Sequence, residues 1–168
     1  TVQVASLDGQ EYRFSGIGYA PNGEIERDGV RLTELPEALH DLLTTAILCN
    51  DAVVRLEQNI WTITGDPTEA ALVAAAEKAN LSSQDLRSDH VRLDVIPFES
   101  DSKFMATLNT IDGETHILLK GAPETVLERC TLTEAELRRI NEAMDTYARQ
   151  GMRVIAFAHK KAVAAKQI

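Results

Sequence analysis

The sequence predicts an α+β fold, in which a mainly antiparallel, twisted β-sheet is flanked by helices, and three observations indicate it. Short apolar runs are joined by two-residue turns such as Asp8-Gly9 and Asp112-Gly113, which are typical of β-hairpins. Other segments place apolar residues three and four positions apart, as helices do, and they are interspersed among the hairpins. Hydrophobic residues make up 44% of the 168 positions, which is enough for a buried core. We therefore expect one domain spanning residues 1–168.

The first half of the chain is predicted to alternate between hairpins and helices. A Pro-Asn-Gly turn at residues 21–23 follows the opening hairpin, and Gln58-Asn59 turns a later one. The helix that begins at Pro67 has an alanine-rich face, which suits close packing. In chain order, the predicted elements are strands at 2–4 and 12–14, a helix at 34–50, strands at 53–57 and 60–64, a helix from 67 to about 80, and a short helix at 82–86.

The second half is predicted to contain most of the sheet. Its long helix has clear ends, because Thr133 and Glu136 are spaced as a capping box and Gly151 stands where a helix stops. In chain order, the predicted elements are strands at 91–97, 104–111 and 115–119, a short helix after Pro123, a helix at 133–150 and a strand at 152–159.

Composition excludes several classes of protein. The net charge of −9 argues against nucleic-acid binding, which needs a basic face, although a few Lys and Arg side chains in one cleft can still hold a small anion. Cys49 and Cys130 form no CxxC pair, so we interpret both as reduced, buried thiols. The sequence contains no run of about 18 apolar residues and no signal-peptide pattern.

Lys-Gly-Ala-Pro-Glu at residues 120–124 follows an apolar strand and precedes a predicted helix. Gly121 allows a ligand or a backbone segment to come close, and Pro123 suits the first turn of a helix. A cation such as Lys120 beside a helix N-terminus favours an anion. From these residues alone, however, a strand–turn–helix corner with a solvated lysine is the simpler interpretation.

The same five residues resemble the strand-to-helix motif of the nucleotide-binding domain in P-type cation pumps. In that family the lysine lies deep in the ATP pocket. The resemblance therefore implies that Lys120 lines the base of the pocket and that Gly121 and Ala122 allow close approach of the nucleotide. It also implies the α+β fold of that domain.

Residues 97–105 are similar to the family's Pro-Phe-x-Ser-x-x-Lys-x-Met segment, which includes Ser100 as a possible nucleotide contact. The resemblance implies that Phe98 stacks on adenine and that Lys103 lies near the ribose and phosphates. The alternatives are core packing for Phe98 and a solvated strand position for Lys103. Ser102 stands where many members of the family have a basic residue, which weakens attraction for phosphate but not stacking.

Residues 65–72 are similar to the family's Gly-(Asp/Glu)-x-(Thr/Ser)-Glu-x-Ala-Leu segment. Asp66 can cap the helix, and Glu69 occupies the position of a capping-box carboxylate, so capping alone would explain both residues. The resemblance gives Glu69 a contact with the adenine amino group and makes Asp66 a possible binding residue. The two roles are compatible.

Residues 151–158 resemble the last strand of the family's domain, in which the arginine, here Arg153, reaches the phosphates of ATP and Ile155 is a possible neighbour. The alternative for Arg153 is an exposed arginine on an edge strand. Cys-Asn-Asp at residues 49–51 also matches the family, and we interpret Asn50 as a structural turn residue. The general pattern is nearer to calcium, sodium-potassium or magnesium pumps than to heavy-metal pumps, whose nucleotide domain uses a different set of residues.

The resemblance implies a domain that binds ATP, with Mg²⁺ brought by the nucleotide, and presents the γ-phosphate to the phosphorylation domain of a parent pump. The Asp-Lys-Thr-Gly phosphorylation sequence is absent from this chain, so we expect no catalytic residue, no metal site and no turnover by it alone. The parent would be a membrane-embedded enzyme that couples ATP hydrolysis to cation transport and also has an actuator domain. We expect this chain, which begins at Thr1, to be a soluble piece excised from the cytoplasmic side of such a pump.

The sequence leaves two other functions open. A non-catalytic protein-interaction module would also be acidic and of mixed structure. A small-molecule enzyme of another class would need a catalytic constellation, but the histidines are scattered, and we interpret each as solvated or hydrogen-bonded: His40, His90, His116 and His159.

Overall fold

Ten strands and five helices are formed by the residues that the computed structural model describes, which are 1–162 and 167–168. They pack as two compact units, Thr1–Asp89 and His90–Ile168. The strands pair antiparallel throughout, and helices flank them, so the predicted α+β class is confirmed.

The first unit begins with a four-stranded antiparallel sheet in the order β1-β2-β3-β4. Asp8 and Gly9 turn its first hairpin with φ angles of 51° and 80°, a left-handed pair that matches the twist of the strands. The elements of this unit are β1 (Val4–Leu7), β2 (Gln10–Phe14), β3 (Ile25–Arg27), β4 (Val30–Arg31), α1 (Glu37–Leu48), β5 (Val53–Glu57), β6 (Ile60–Thr64), α2 (Pro67–Lys78) and α3 (Ser83–Asp89).

The core of the first unit lies where the sheet meets α1 and α2. The predicted alanine-rich face of α2 is buried there, and its small side chains let α2 pack closely against α1 and the sheet. The buried members of this cluster are Ala5, Tyr12, Phe14, Ile25, Leu39, Leu43, Ile47, Ala75 and Ala76.

The second unit contains a four-stranded antiparallel sheet in the order β10-β9-β8-β7. The small helix α4 packs on one face of it, where Ala106, Leu119 and Val126 are buried. The elements of this unit are β7 (Arg92–Ile96), β8 (Phe104–Ile111), β9 (Glu114–Gly121), α4 (Pro123–Leu127), α5 (Glu134–Arg149) and β10 (Ala156–Ala162).

Several predicted boundaries are wrong. Helix α1 begins at Glu37 because Pro36 occupies its N-cap position, and strand β1 begins at Val4. The hairpin of β3 and β4 was not predicted, since its strands have only three and two residues. Strand β9 continues past Leu119 to Gly121.

The last strand was placed too early in the sequence. It begins at Ala156, which pairs with Gly121, the final residue of β9. Arg153 therefore precedes the strand. Both cysteines are free. Cys49 is buried as predicted, but Cys130, which lies just after α4, is only half-buried.

Candidate functional site

The first part of the candidate site is the tight turn between β7 and β8. The backbone N–H of Lys103 donates to the carbonyl oxygen of Glu99 at 2.8 Å, and the Ser102 hydroxyl donates to the same oxygen at 3.3 Å. Lys103 has a φ of +56°, in the left-handed region that few residues other than glycine occupy. The turn therefore fixes Lys103 immediately before β8 begins, with its side chain more than half exposed.

Phe98 lies at the start of this turn and exposes 56% of its surface. The alternative that it packs in the core is therefore wrong. Ser100, in the same turn, is also exposed. An aromatic ring presented in this way is free to stack on a planar group, with the polar turn beside it.

Lys120 has the opposite environment. It is only 5% exposed, and its Cα lies opposite Met105 of β8 and Phe157 of β10. The simple interpretation of a solvated lysine is therefore wrong. An ammonium group in such a position needs compensating polar partners, because an isolated buried charge is strongly disfavoured.

Gly121 is where the two motif segments meet. A Cβ atom at this position would lie 2.4 Å from the carbonyl oxygen of Lys103 and 2.8 Å from the Cα of Phe104. The adjoining backbone N–H of Ala122 donates to that same carbonyl oxygen at 2.9 Å. Of the two reasons offered for the glycine, close approach of a ligand or of backbone, the structure gives the second: β8 begins against it.

The opening of α4 adds charged groups to this corner. The carboxylate of Glu124 lies 3.9 Å from the Nζ of Lys103, and both side chains are largely exposed. Such a pair is screened by water and contributes little to stability. Its effect is to place an acidic group at the start of α4 beside a basic group at the start of β8.

Arg129 is a residue of this corner that the sequence did not reveal. Its guanidinium carbon lies 4.5 Å from the centre of the Phe104 ring, and its Nη1 donates to the carbonyl oxygen of Thr125 at 2.7 Å. The contact joins the end of α4 to the first residue of β8. No sequence pattern indicates this contact, since the pair depends on how α4 packs.

The remaining predicted residues of the second unit lie between α5 and β10. Arg153 is exposed, and Ile155 is half-buried. Ile155 directly precedes Ala156, whose Cα lies opposite Gly121. The pairing therefore brings this segment to the same end of β9 as the two motif segments.

Two predicted site residues, Asp66 and Glu69, belong to the first unit. The carboxylate of Asp66 accepts hydrogen bonds from the backbone N–H groups of Thr68 at 2.8 Å and Glu69 at 3.1 Å, so its role as the N-cap of α2 is confirmed. The Glu69 carboxylate, which the sequence pattern placed in a capping box, accepts a hydrogen bond from the backbone N–H of Asp51 at 3.2 Å.

The predicted structural role of Asn50 is confirmed by its hydrogen bonds. Its side-chain amide donates to the carbonyl oxygens of Ala46 and Glu69, both at 3.0 Å, and accepts from the N–H of Ala52 at 2.8 Å. These bonds tie the end of α1 to the start of α2. Asn50 thereby holds the Glu69 backbone in place.

The four histidines differ in their surroundings: His40 and His159 are exposed, and His90 and His116 are half-buried. The interpretation of each as solvated or hydrogen-bonded is wrong for the Nδ1 of His90, which is buried without a hydrogen-bond partner. Within residues 1–162 and 167–168, no three His, Cys, Asp or Glu side chains converge as metal ligands. No helix among these residues has the length and apolarity to cross a bilayer.

A family model described as the P-type ATPase cytoplasmic domain N matches residues 38–167. The cation-transporting ATPase pma1 of Synechocystis is 42% identical, over 95% of this chain and 19% of that protein. Calcium-transporting ATPase 1 of Bacillus cereus is 38% identical over 71% of the chain and 14% of that protein, and calcium-transporting ATPase lmo0841 of Listeria monocytogenes is 32% identical over 85% and 17%. The chain thus spans less than a fifth of the length of these relatives.

Proposed function

This chain belongs to the family of P-type ATPase cytoplasmic N domains, and on that premise we propose that it binds ATP and presents the γ-phosphate to a phosphorylation domain. The observation that supports the proposal best is the direct link between the two motif segments of the second unit. A hydrogen bond of 2.9 Å from the Ala122 N–H to the Lys103 carbonyl joins them. The link puts the exposed ring of Phe98, the exposed Lys103 and the buried Lys120 on connected backbone.

Phe98 would hold the adenine. Stacking of a base on an aromatic side chain contributes about 1–3 kcal/mol, and the half-exposed ring requires no rearrangement of a core to receive it. The family resemblance further assigns Glu69 to the adenine amino group, and its carboxylate oxygens can accept from that group. Asp66 already caps α2, so we assign it a structural role first.

Lys103 and Arg153 would face the ribose and phosphates, with Lys120 at the base of the pocket. The exposed Lys103 ammonium and the exposed Arg153 guanidinium can both reach a multiply charged anion. Ser100 and Ile155 would line the edges. We propose that any Mg²⁺ enters on the phosphates, where it neutralises charge.

We propose that the longer protein is a membrane enzyme that couples ATP hydrolysis to cation transport. Phosphoryl transfer depends on positioning and on stabilising charge more than on covalent work by the protein. The residues of this chain would hold and orient the nucleotide. The phosphorylated aspartate, the actuator domain and the ion site would lie in other parts of that protein.

Replacement of Phe98 tests this proposal. Phe98→Ala should weaken binding of both ATP and adenosine by about 1–3 kcal/mol, because stacking involves the base that the two ligands share. Phe98→Trp should retain binding. Isothermal titration calorimetry on the isolated chain measures each affinity.

Leu93→Ala is the matched control, since Leu93 is also an exposed apolar residue of the β7 region. Equal affinities for the wild type and Phe98→Ala would contradict the proposed adenine site. No ATP binding by any variant would favour the alternative of a protein-interaction module. For that function, the exposed side chains of Val91, Leu93, Val95 and Ile96 offer an apolar edge.

A further inference from the structure

The guanidinium of Arg129 lies over the ring of Phe104, with 4.5 Å between the guanidinium carbon and the ring centre. Neither residue belongs to the nucleotide contacts proposed above. We propose that Arg129 is a positioning residue, which holds Phe104 in place and so fixes Lys103 in its left-handed conformation. The inference rests on the proposed function for its effect on ATP, but its structural part can be measured without a nucleotide.

The first step is the confinement of Phe104. Its backbone packs against Gly121 so closely that a Cβ on the glycine would lie 2.8 Å from both the Cα and the Cβ of Phe104. Its ring packs against the apolar cluster around Val126. Arg129 covers that ring, so Phe104 is held by backbone on one side and by the guanidinium on another.

The second step is the coupling to Lys103, the residue before Phe104. Lys103 has a φ of +56°, which costs free energy for a residue with a side chain. Its carbonyl oxygen accepts from Ala122 at 2.9 Å, and its N–H donates to Glu99 at 2.8 Å. If Phe104 shifts, both hydrogen bonds lose their geometry and Lys103 can relax to an ordinary conformation.

The third step is the anchoring of Arg129 itself. Its Nη1 donates to the carbonyl oxygen of Thr125 in α4 at 2.7 Å, and its side chain is 44% exposed. Helix α4 begins at Pro123, directly after the Lys120 segment. Arg129 therefore connects the far end of this helix back to the start of β8.

The expected effect is specific for phosphate. A cation over an aromatic ring at a partly exposed site corresponds to about a two- to fivefold change in an equilibrium constant. Arg129→Ala should raise the Kd for ATP by that factor, because Lys103 would be less well placed. The Kd for adenosine should stay within about twofold, since Phe98 stacks on the base alone. Arg129→Lys keeps a cation over the ring and should restore part of the affinity.

The experiment has one part without ligand and one with ligand. Amide hydrogen exchange on the free chain reports whether the N–H groups of Lys103 and Ala122 lose protection in Arg129→Ala, while that of Leu118 in mid-strand stays protected. Calorimetric titration then gives the Kd for ATP and for adenosine. Arg138→Ala, which removes an exposed arginine of α5, controls for the lost charge.

A Phe104→Leu background makes the test sharper. There Arg129→Ala should have no further effect on ATP, because the ring that it holds is gone. The proposal is overturned if Arg129→Ala leaves both amides protected, or if it weakens ATP and adenosine equally, as a general loss of folding would. If the wild type binds no ATP but the amides of Arg129→Ala exchange faster, the proposed function fails and the contact is purely structural.

Discussion

Gly121 is the residue at which the two segments of the candidate site come closest. Its φ is not in the left-handed region, so backbone strain does not explain the glycine. The missing Cβ does, because Lys103 and Phe104 occupy the space that it would need. The glycine of the Lys-Gly-Ala-Pro-Glu motif thus serves the packing of β8, whatever the ligand.

Gly121→Ala should lower the free energy of unfolding by about 1–3 kcal/mol, as overpacking of a well-filled site does. It should also shift the amide resonances of Lys103 and Phe104. Urea unfolding and an NMR spectrum of the variant measure the two effects. Gly113→Ala is the control, since nothing lies within 4 Å of a Cβ there and only the left-handed φ of 80° is strained. A Gly121→Ala variant as stable as the wild type would contradict the close packing.

The sequence identified the candidate residues of the site but not their surroundings. Phe98 and Lys120 were found because they stand in motifs that resemble a family. The apolar run before Lys120 indicated a strand that ends at Leu119, whereas β9 continues to Gly121 and buries the lysine between two neighbours. Arg129 was missed because its partner, Phe104, is distant in sequence and is brought to it only by packing.

At the scale of elements, the capping box of α5 shows how a local pattern determines a helix end. The Glu136 carboxylate accepts from the N–H of Thr133 at 2.8 Å and from its hydroxyl at 2.6 Å. These two bonds lower the pKa of Glu136, and the bond from the Thr133 hydroxyl has the larger effect. The ionised carboxylate is the form that the cap stabilises.

The capping box predicts a pH dependence. Because the folded pKa of Glu136 lies below the unfolded one, its contribution is complete above the ordinary glutamate pKa and is lost as the pH falls through the folded value. The difference in unfolding free energy between the wild type and Glu136→Gln should therefore shrink between about pH 6 and about pH 3. Glu142→Gln, another exposed carboxylate of α5, controls for charge. A difference that stayed constant with pH would contradict this role.

Local signals predicted those elements whose ends are defined by local chemistry. Thr133, Glu136 and Gly151 set α5, and the left-handed Gln58 and Asn59 set the hairpin of β5 and β6. The start of β10 was not predictable in this way. It depends on where β9 ends, because the first residue of β10, Ala156, pairs with the last residue of β9, Gly121, which lies more than 30 residues earlier in the chain.

At the scale of the whole molecule, charge opposes the proposed ligand. The chain has a net charge of −9, and a nucleoside triphosphate such as ATP is also strongly negative. Binding then depends on a few cations held in one place against a repulsive background. Ser102, in the turn beside Lys103, stands where the family often adds such a cation.

Ser102→Arg should therefore tighten ATP binding by about two- to fivefold at low salt, the effect expected of one exposed charge pair. The gain should fall as salt is added, because exposed charges are screened. Calorimetry at two ionic strengths measures it. Ser88→Arg adds the same charge to an exposed position of α3 and should give a smaller gain. Equal gains from both variants would mean that net charge, and not the position of residue 102, governs affinity.

Binding of ATP by the linked segments around Phe98, Lys103 and Lys120 is the central proposal for this protein. A titration of the isotopically labelled chain with ATP, followed by amide chemical shifts, tests it most directly. We expect saturable shifts at Phe98, Lys103, Lys120 and Gly121, with the sheet of β1 to β4 unchanged. Saturating ATP that leaves these four amides unmoved, or that shifts only the β1–β4 sheet, would contradict it.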